Sequence, residues 1–211
     1  MSIGKHKMLS SKQIVFLNYQ FTTGKQSFWR DYNNYLFKYL DEPYYILVTK
    51  NNKQTAMFRL NSRGKKLYCS LTKNKYNTPQ KCNEYLPHLY YTNEAIIQLS
   101  PYSFELEYNV ADLRMDAYCH FENNITLALE VDRGTENKNC VLKKQYKYQR
   151  IYSDLSYPNI VLFVTNRKQK LTLWLKKNIK EYYEVVFFVT DINNPNFDFI
   201  KNEINIFRTK R

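Results

Sequence analysis

At 211 residues and 44% hydrophobic, the chain is long enough for one large domain or two small ones and has the apolar material for a real core. Its 32 Lys and Arg against 19 Asp and Glu leave a formal charge of +13, and four Gly and six Pro are too few for a low-complexity chain. No apolar run approaches the roughly 18–20 residues that span a bilayer, and MSIGKHKM lacks the apolar stretch of a secretory leader, so a cytoplasmic protein with no membrane partner is expected. Cys69, Cys82, Cys119 and Cys140 show no C-x-x-C spacing, which argues against a zinc knuckle or a redox pair. His6, His88 and His120 are scattered and read as structural or solvated side chains rather than ligands.

The charge is uneven. Residues 1–75 hold 14 Lys and Arg against 3 Asp and Glu, a balance of +11, whereas residues 76–211 hold 18 against 16. A compact basic segment without a membrane anchor most often meets a polyanion. The bland alternative is a solvated basic face.

In the first unit, Ser10 and Ser11 are placed to cap a helix through Gln13, Ile14 and Leu17. Ser27 can cap a stronger helix over 28–40, where Phe28, Tyr32, Tyr35, Leu36, Tyr39 and Leu40 form one apolar face and Pro43 prevents much continuation. Two β-rich runs then flank Lys50-Asn51-Asn52-Lys53, a hairpin with a basic tip, and LNSRGKKLY closes the unit. Helices followed by a basic two-stranded wing make a winged helix-turn-helix pattern, in which a helix enters the major groove and the wing touches backbone. The middle helix of that pattern is barely visible in NYQFTTGKQ. The expected contacts to double-stranded DNA are Lys25, Gln26, Arg30, Asn33 and Asn34 beside or on the long helix, Lys50 and Lys53 on the wing, and Arg63, Lys65 and Lys66 after it. An ordinary small α+β subdomain is the competing reading. The polar stretch KNKYNTPQKCNE reads as a linker, so the expected domains are 1–75 and 85–211, joined by 76–84.

In the second unit a helix is predicted to open at Thr92 or Asn93. SFELEY alternates as a half-buried strand does, and MDAYCHF and ITLALEV are two more strands joined at Glu122-Asn123-Asn124. A Lys/Tyr-rich helix follows over 139–153, then the apolar strand NIVLFVT, the helix LTLWLKKNIKEYY and the strand EVVFFVT. The closing strand–helix–strand units imply parallel neighbours, with VLFV and VVFFV in the middle of a covered sheet. The basic tail INIFRTKR receives no element. The chain is thus α/β in its second half and α+β overall.

The most specific stretch is RMDAYCHFENNITLALEVDRGTENKNCVLKKQYKY. Asp116 opens one strand and Glu130 and Asp132 close its hairpin neighbour. Val131 points the other way, because strand side chains alternate, so both carboxylates can face Asp116. Three acids at neighbouring strand ends can hold a divalent cation through hard oxygen ligands. Without one they repel, so a metal or a basic partner must be present. Lys143, Lys144 and Lys147 are candidates on the next helix, and Lys144 shares a face with Tyr148. The alternative is a charge network of the three acids with Arg114, Arg133 or Lys144.

The αβββαβ order with an acid on the second strand and another on the third resembles the restriction-endonuclease-like, or PD-(D/E)xK, fold. In that fold the two acids bind metal and a Lys two residues on stabilises developing charge. M-D-A stands here where P-D-A is usual, Asp116 and Glu130 match the acids, and Asp132 occupies the Lys position, with Lys144 the candidate replacement. More specifically, Arg114, Asp116, Ala117 and Leu129 to Glu136 (LEVDRGTE), together with LPHLYYTNEAIIQL, resemble the replication-relaxation family of plasmid and mobile-element proteins. That resemblance covers most of the chain. It implies an N-terminal winged helix and DNA binding in replication or transfer, and it does not establish a reaction.

The expectation is a DNA-binding accessory protein in replication or mobilisation of a plasmid or other mobile element, with a degenerate nuclease-like domain and no cofactor assigned beyond the candidate ions Mg²⁺ and Mn²⁺. One alternative is an active nuclease in which Asp116, Glu130 and Asp132 hold Mg²⁺ or Mn²⁺ and Lys144 serves as the catalytic lysine. The other is a transcriptional or copy-number regulator. A replication initiator, a relaxase or a second copy of the chain are the protein partners this expectation admits. A relaxase itself is excluded, for want of a three-His cluster.

Overall fold

The computed structural model describes residues 6, 9–10, 13, 45–50, 56–73, 85–155, 157–176 and 185–209. The chain divides into two compact units, Met1–Asn93 and Glu94–Arg211. The predicted helix over 28–40, the wing tip and the linker 76–84 lie outside the described residues. So do Lys25, Gln26, Arg30, Asn33, Asn34 and Lys53.

In the first unit, β1 (Leu9–Ser10), β2 (Tyr45–Lys50) and β3 (Ala56–Leu60) form an antiparallel sheet in the order β1-β3-β2. The hairpin is the predicted one, pairing Tyr45 with Leu60 and Lys50 with Ala56. Strand β1, opposite Phe58 and Met57, has no counterpart in the sequence reading, and it makes Ser10 a strand residue. Helix α1 (Ser62–Thr72) occupies a stretch to which the sequence assigns no element. Gly64 and the exposed Leu67 and Leu71 blur its apolar stripe, and Tyr68 is its buried side chain. Arg63, Lys65 and Lys66 stand on this helix.

Helix α2 (Tyr85–Leu99) begins well before Thr92, with Pro87 tolerated in its first turn. Thr92 and Asn93 are interior residues and cap nothing. Thr92 Oγ1 donates back to His88 O at 3.0 Å. The buried Asn93 amide is bound at both ends by His6: its Nδ2 donates to His6 O at 3.2 Å and its Oδ1 accepts from His6 Nδ1 at 2.9 Å. Gln13 Nε2 donates to Tyr90 O at 3.0 Å. An apparent helix start is thus an interior residue that binds His6.

The second unit holds a five-stranded sheet. Strands β4 (Ser103–Leu106), β7 (Ala117–His120) and β8 (Thr126–Asp132) form the predicted antiparallel run. Asn123 and Asn124 turn the β7–β8 hairpin at φ of 60° and 59°, a left-handed conformation that Asn tolerates. A further hairpin, β5 (Asn109–Val110) and β6 (Leu113–Arg114), lies between β4 and β7 in the chain, with Ala111 and Asp112 at its tip. Strands β9 (Ile160–Thr165) and β10 (Val186–Asp191) continue parallel to β8, which gives the order β10-β9-β8-β7-β4. The helices between these strands are α3 (Lys138–Leu155) and α4 (Lys168–Lys176).

Two details correct the sequence reading. VVFFV is the half-buried edge strand, so the sheet centre belongs to β8 and β9, every residue of which is buried. The tail is a helix, α5 (Phe197–Thr209), which buries Phe197, Ile200 and Ile204 at helical spacing and packs Phe199 edge-on against Phe188 of β10.

Period-2 alternation sorts the sheet into two faces. Tyr118, Ala128, Val161 and Phe163 lie on one face and pack with Val141, Tyr148 and Ile151 of α3 and Leu171 and Leu175 of α4. Leu127, Leu129, Ile160 and Leu162 alternate with them and are fully buried on the other. Glu130 and Asp132 continue the α3 face toward the carboxyl end of β8, so the strand period itself brings two acids beneath a helix.

Candidate functional site: a buried acid–lysine cluster

The register opposes Ala117 to Leu129, which brings Asp116, just before β7, level with Glu130. Asp116 Oδ2 accepts the backbone N–H of Val131 at 2.7 Å, so this carboxylate is tied to β8 as well as standing beside it. Glu130 is 1% exposed. Its Oε2 accepts from Lys144 Nζ at 2.7 Å, and its Oε1 accepts a short hydrogen bond from the Tyr148 hydroxyl. Lys144 also donates to Glu136 Oε1 at 2.5 Å. One turn of α3 therefore supplies an ammonium and a phenol to both oxygens of one buried carboxylate.

Asp132 goes elsewhere. Its Oδ1 accepts Gly134 N at 2.9 Å and Glu136 N at 3.4 Å, closing the turn that leads into α3. Its Oδ2 accepts Thr165 Oγ1 at 3.1 Å and Arg167 Nε at 2.7 Å, both at the end of the adjoining parallel strand. Arg167 in turn lies over the Trp174 ring, 5.1 Å from its centroid. Sequence reasoning missed Glu136, Thr165 and Arg167. Pairing of the predicted parallel neighbours sets Asp132 level with Thr165, but the register that does so is not carried by the periodicity of the sequence.

The turn between the two clusters explains the Arg133-Gly134-Thr135 stretch. Gly134 has φ +85°, where L side chains are strained, and a Cβ there would come within 2.7 Å of Asn166 Oδ1. Asn166 is not free to retreat, because its Nδ2 donates to Arg133 O at 2.9 Å. Upstream, Met115 fills the core and Arg114 pairs with Glu107 at 2.6 Å across the base of the β5–β6 hairpin.

The electrostatics follow from burial. Desolvation, reinforced by Asp116, outweighs Lys144 and Tyr148 and pushes the Glu130 carboxyl up to about 7. Burial alone would lower Lys144, but Glu130 and Glu136 overcome it and hold the ammonium above its ordinary value. Burial, then Glu130, pushes the Tyr148 phenol well up, which keeps it a neutral donor. Lys144 thus stays charged, and acidification below about 7 protonates Glu130.

A pH dependence follows. The folded state of Glu130 binds a proton more tightly than the unfolded state, whose carboxyl titrates near its ordinary value of 4.5. Stability is therefore expected to fall as pH rises from about 4.5 to about 7 and then to level off. The contribution is at most about 3 kcal/mol. Urea unfolding across this range should show that decline in the parent and not in Glu130→Gln, and an unchanged slope in the variant would refute the assignment.

The chemistry of the donor set decides how well Mg²⁺ or Mn²⁺ fits. Both Glu130 oxygens and both Asp132 oxygens are already hydrogen-bonded by the protein, and each acid has its own cation. Among the described residues no three His, Cys, Asp or Glu side chains are grouped to hold a metal ion. Asp116, Glu130 and Asp132 in this arrangement do not fit a shared divalent cation.

A family model described as replication-relaxation matches residues 1–160, a span that includes Asp116, the LEVDRGTE turn, Lys144 and Tyr148. The chain belongs to the replication-relaxation family. No curated protein matches it. The family match ends at the start of β9, so the Arg167 half of the arrangement falls outside the matched span of this replication-relaxation chain. No helix among the described residues is long and apolar enough to cross a membrane.

Proposed function

We propose that the chain is a DNA-binding accessory protein in the replication or mobilisation of a plasmid or other mobile element, with a restriction-endonuclease-like sheet domain that no longer cleaves. The observation that carries the second half is the double occupation of Glu130: Lys144 takes one oxygen and Tyr148 the other. An internal ammonium then does electrostatically what a cation does in a nuclease of that fold. Holding the sheet and α3 together becomes the role of Asp116, Glu130 and Lys144.

DNA binding is supported by the +11 balance of residues 1–75. A winged helix there is supported by the β1-β3-β2 sheet, in which a short N-terminal strand joins the far arm of a hairpin. Lys50 ends the first arm of that hairpin, and Arg63 and Lys66 are exposed on the helix that follows it.

Supercoiled plasmid incubated with the protein in Mg²⁺ or Mn²⁺ tests the reading. The expected result is binding without nicking, and an unchanged melting temperature on adding Mg²⁺. Nicking that disappears in Glu130→Ala would establish the active metal-dependent nuclease instead.

A further inference from the structure

We infer that the outer face of α3 is a second contact surface for the DNA backbone, separate from the basic first unit and from the acid–lysine cluster. The inference rests on the DNA-binding reading and adds a place to it. Helix α3 is two-sided. Val141, Gln145, Tyr148 and Ile151 are buried against the sheet, while Lys143, Lys147 and Arg150 stand on the opposite side at i, i+4 and i+7. They line a shallow groove of about 430 Å³ that also takes in Leu142, Tyr146 and Asp112.

Four features fit a phosphodiester backbone. First, three cations lie in one row, spanning about 10 Å at 1.5 Å per residue, the rise of about three base pairs. Second, Tyr146 is 62% exposed within that row. A phenol so displayed can donate to phosphate oxygen, and core packing gives no reason for it. Third, Asp112 is the one acid among the described residues lining the groove. It sits at the tip of the β5–β6 hairpin and holds two of the three cations, Lys147 at 3.0 Å and Arg150 at 2.6 Å. Asp112 is 54% exposed and its partners 32% and 46%, so these pairs are solvent-screened and a phosphate can compete for them. Fourth, Lys143 is exposed and forms no ion pair among the described residues. The hairpin arranges the cations in advance, and the groove exchanges one carboxylate for a phosphate.

Asp112 makes the inference testable in both directions. The experiment measures duplex DNA affinity of the full chain as a function of salt. Lys143→Ala/Lys147→Ala/Arg150→Ala should reduce the slope of log K against log salt by about 2 to 3, roughly one for each phosphate no longer neutralised. It should also weaken binding at least about tenfold near physiological salt. Asp112→Asn should tighten binding several-fold, which a merely structural role for the hairpin pairs does not predict. Far-ultraviolet circular dichroism and melting temperature establish that each variant is folded. Should the triple variant not fold, the three single variants and Asp112→Asn decide the matter. If the parent binds and none of these changes moves affinity or slope, the α3 surface is refuted while the first unit remains the binding site. A parent that fails to bind DNA overturns the DNA-binding reading and this inference together.

Discussion

Lys144→Ala is expected to be among the most destabilising single substitutions in the second unit, and its cost should depend on pH. The ammonium answers two carboxylates, Glu130 at 2.7 Å and Glu136 at 2.5 Å, with Asp116 close behind them. Removing it leaves a buried charge without its counter-ion, for which about 3–5 kcal/mol is typical. Two effects pull the value toward the low end. Lys144 is a quarter exposed, so water can enter the vacated space, and Glu130 can take up a proton instead of remaining charged. The loss should therefore be about 3 kcal/mol at about pH 8, where the parent's Glu130 is ionised and the variant must either bury that charge unpaired or bind a proton from dilute solution, and much smaller at about pH 5, where Glu130 is already protonated. Lys143→Ala, one residue away and exposed, should change stability by less than about 0.5 kcal/mol. Lys144→Ala also separates an internal cation from a displaced metal site. Without its ammonium, the cluster should gain a response to Mg²⁺, seen as a rise in melting temperature that is not expected of the parent. A Lys144→Ala protein as stable as the parent in mild alkali would remove the cluster from any structural role.

The local rules of the sequence reach far into this site and stop at definite points. Strand alternation places Glu130 and Asp132 on one face, and hairpin pairing sets Asp116 beside Glu130. Helical spacing brings Lys144 and Tyr148 to one side of α3. Each of these depends on one element or on two consecutive ones. The destination of Asp132 depends on a strand more than thirty residues away in the chain and on the residues just after it, information that no periodicity carries. For the same reason EVVFFVT reads as a central strand: its apolar content is real, but its place at the edge is decided by the absence, among the described residues, of a further strand beyond it. Asn93 misleads in a different way. Asn is a good helix cap, and only a partner 87 residues away reveals that its amide is needed inside the helix. Helices α1 and α5 are hidden by Gly64 and by a run of Asn, Lys and Arg that dilutes the apolar spacing.

Asp132→Ala is expected to cost about 3 kcal/mol or more, through two separable losses. The first is at the sheet. Asp132 is 2% exposed, and it receives the Arg167 Nε, on a side chain only 18% exposed. Nη2 of the same guanidinium has no hydrogen-bond partner among the described residues. Removing the carboxylate leaves this largely buried cation against the Trp174 ring without its counter-ion. The second loss is at the turn, where Gly134 N and Glu136 N both give their hydrogen bonds to Asp132 Oδ1. Without them 133–137 should loosen, the segment that sets where α3 begins and so where Lys144 arrives. Chemical denaturation of Asp132→Ala, Arg167→Met and the double variant measures the first loss. The double variant should be more stable than Asp132→Ala, because it no longer buries an unpaired charge. Hydrogen exchange at the Gly134 and Glu136 amides measures the second, with faster exchange expected in Asp132→Ala and not in Arg167→Met. If the two single substitutions simply add, the Asp132–Arg167 pair contributes nothing beyond what each side chain does separately, and Asp132 is a turn residue only.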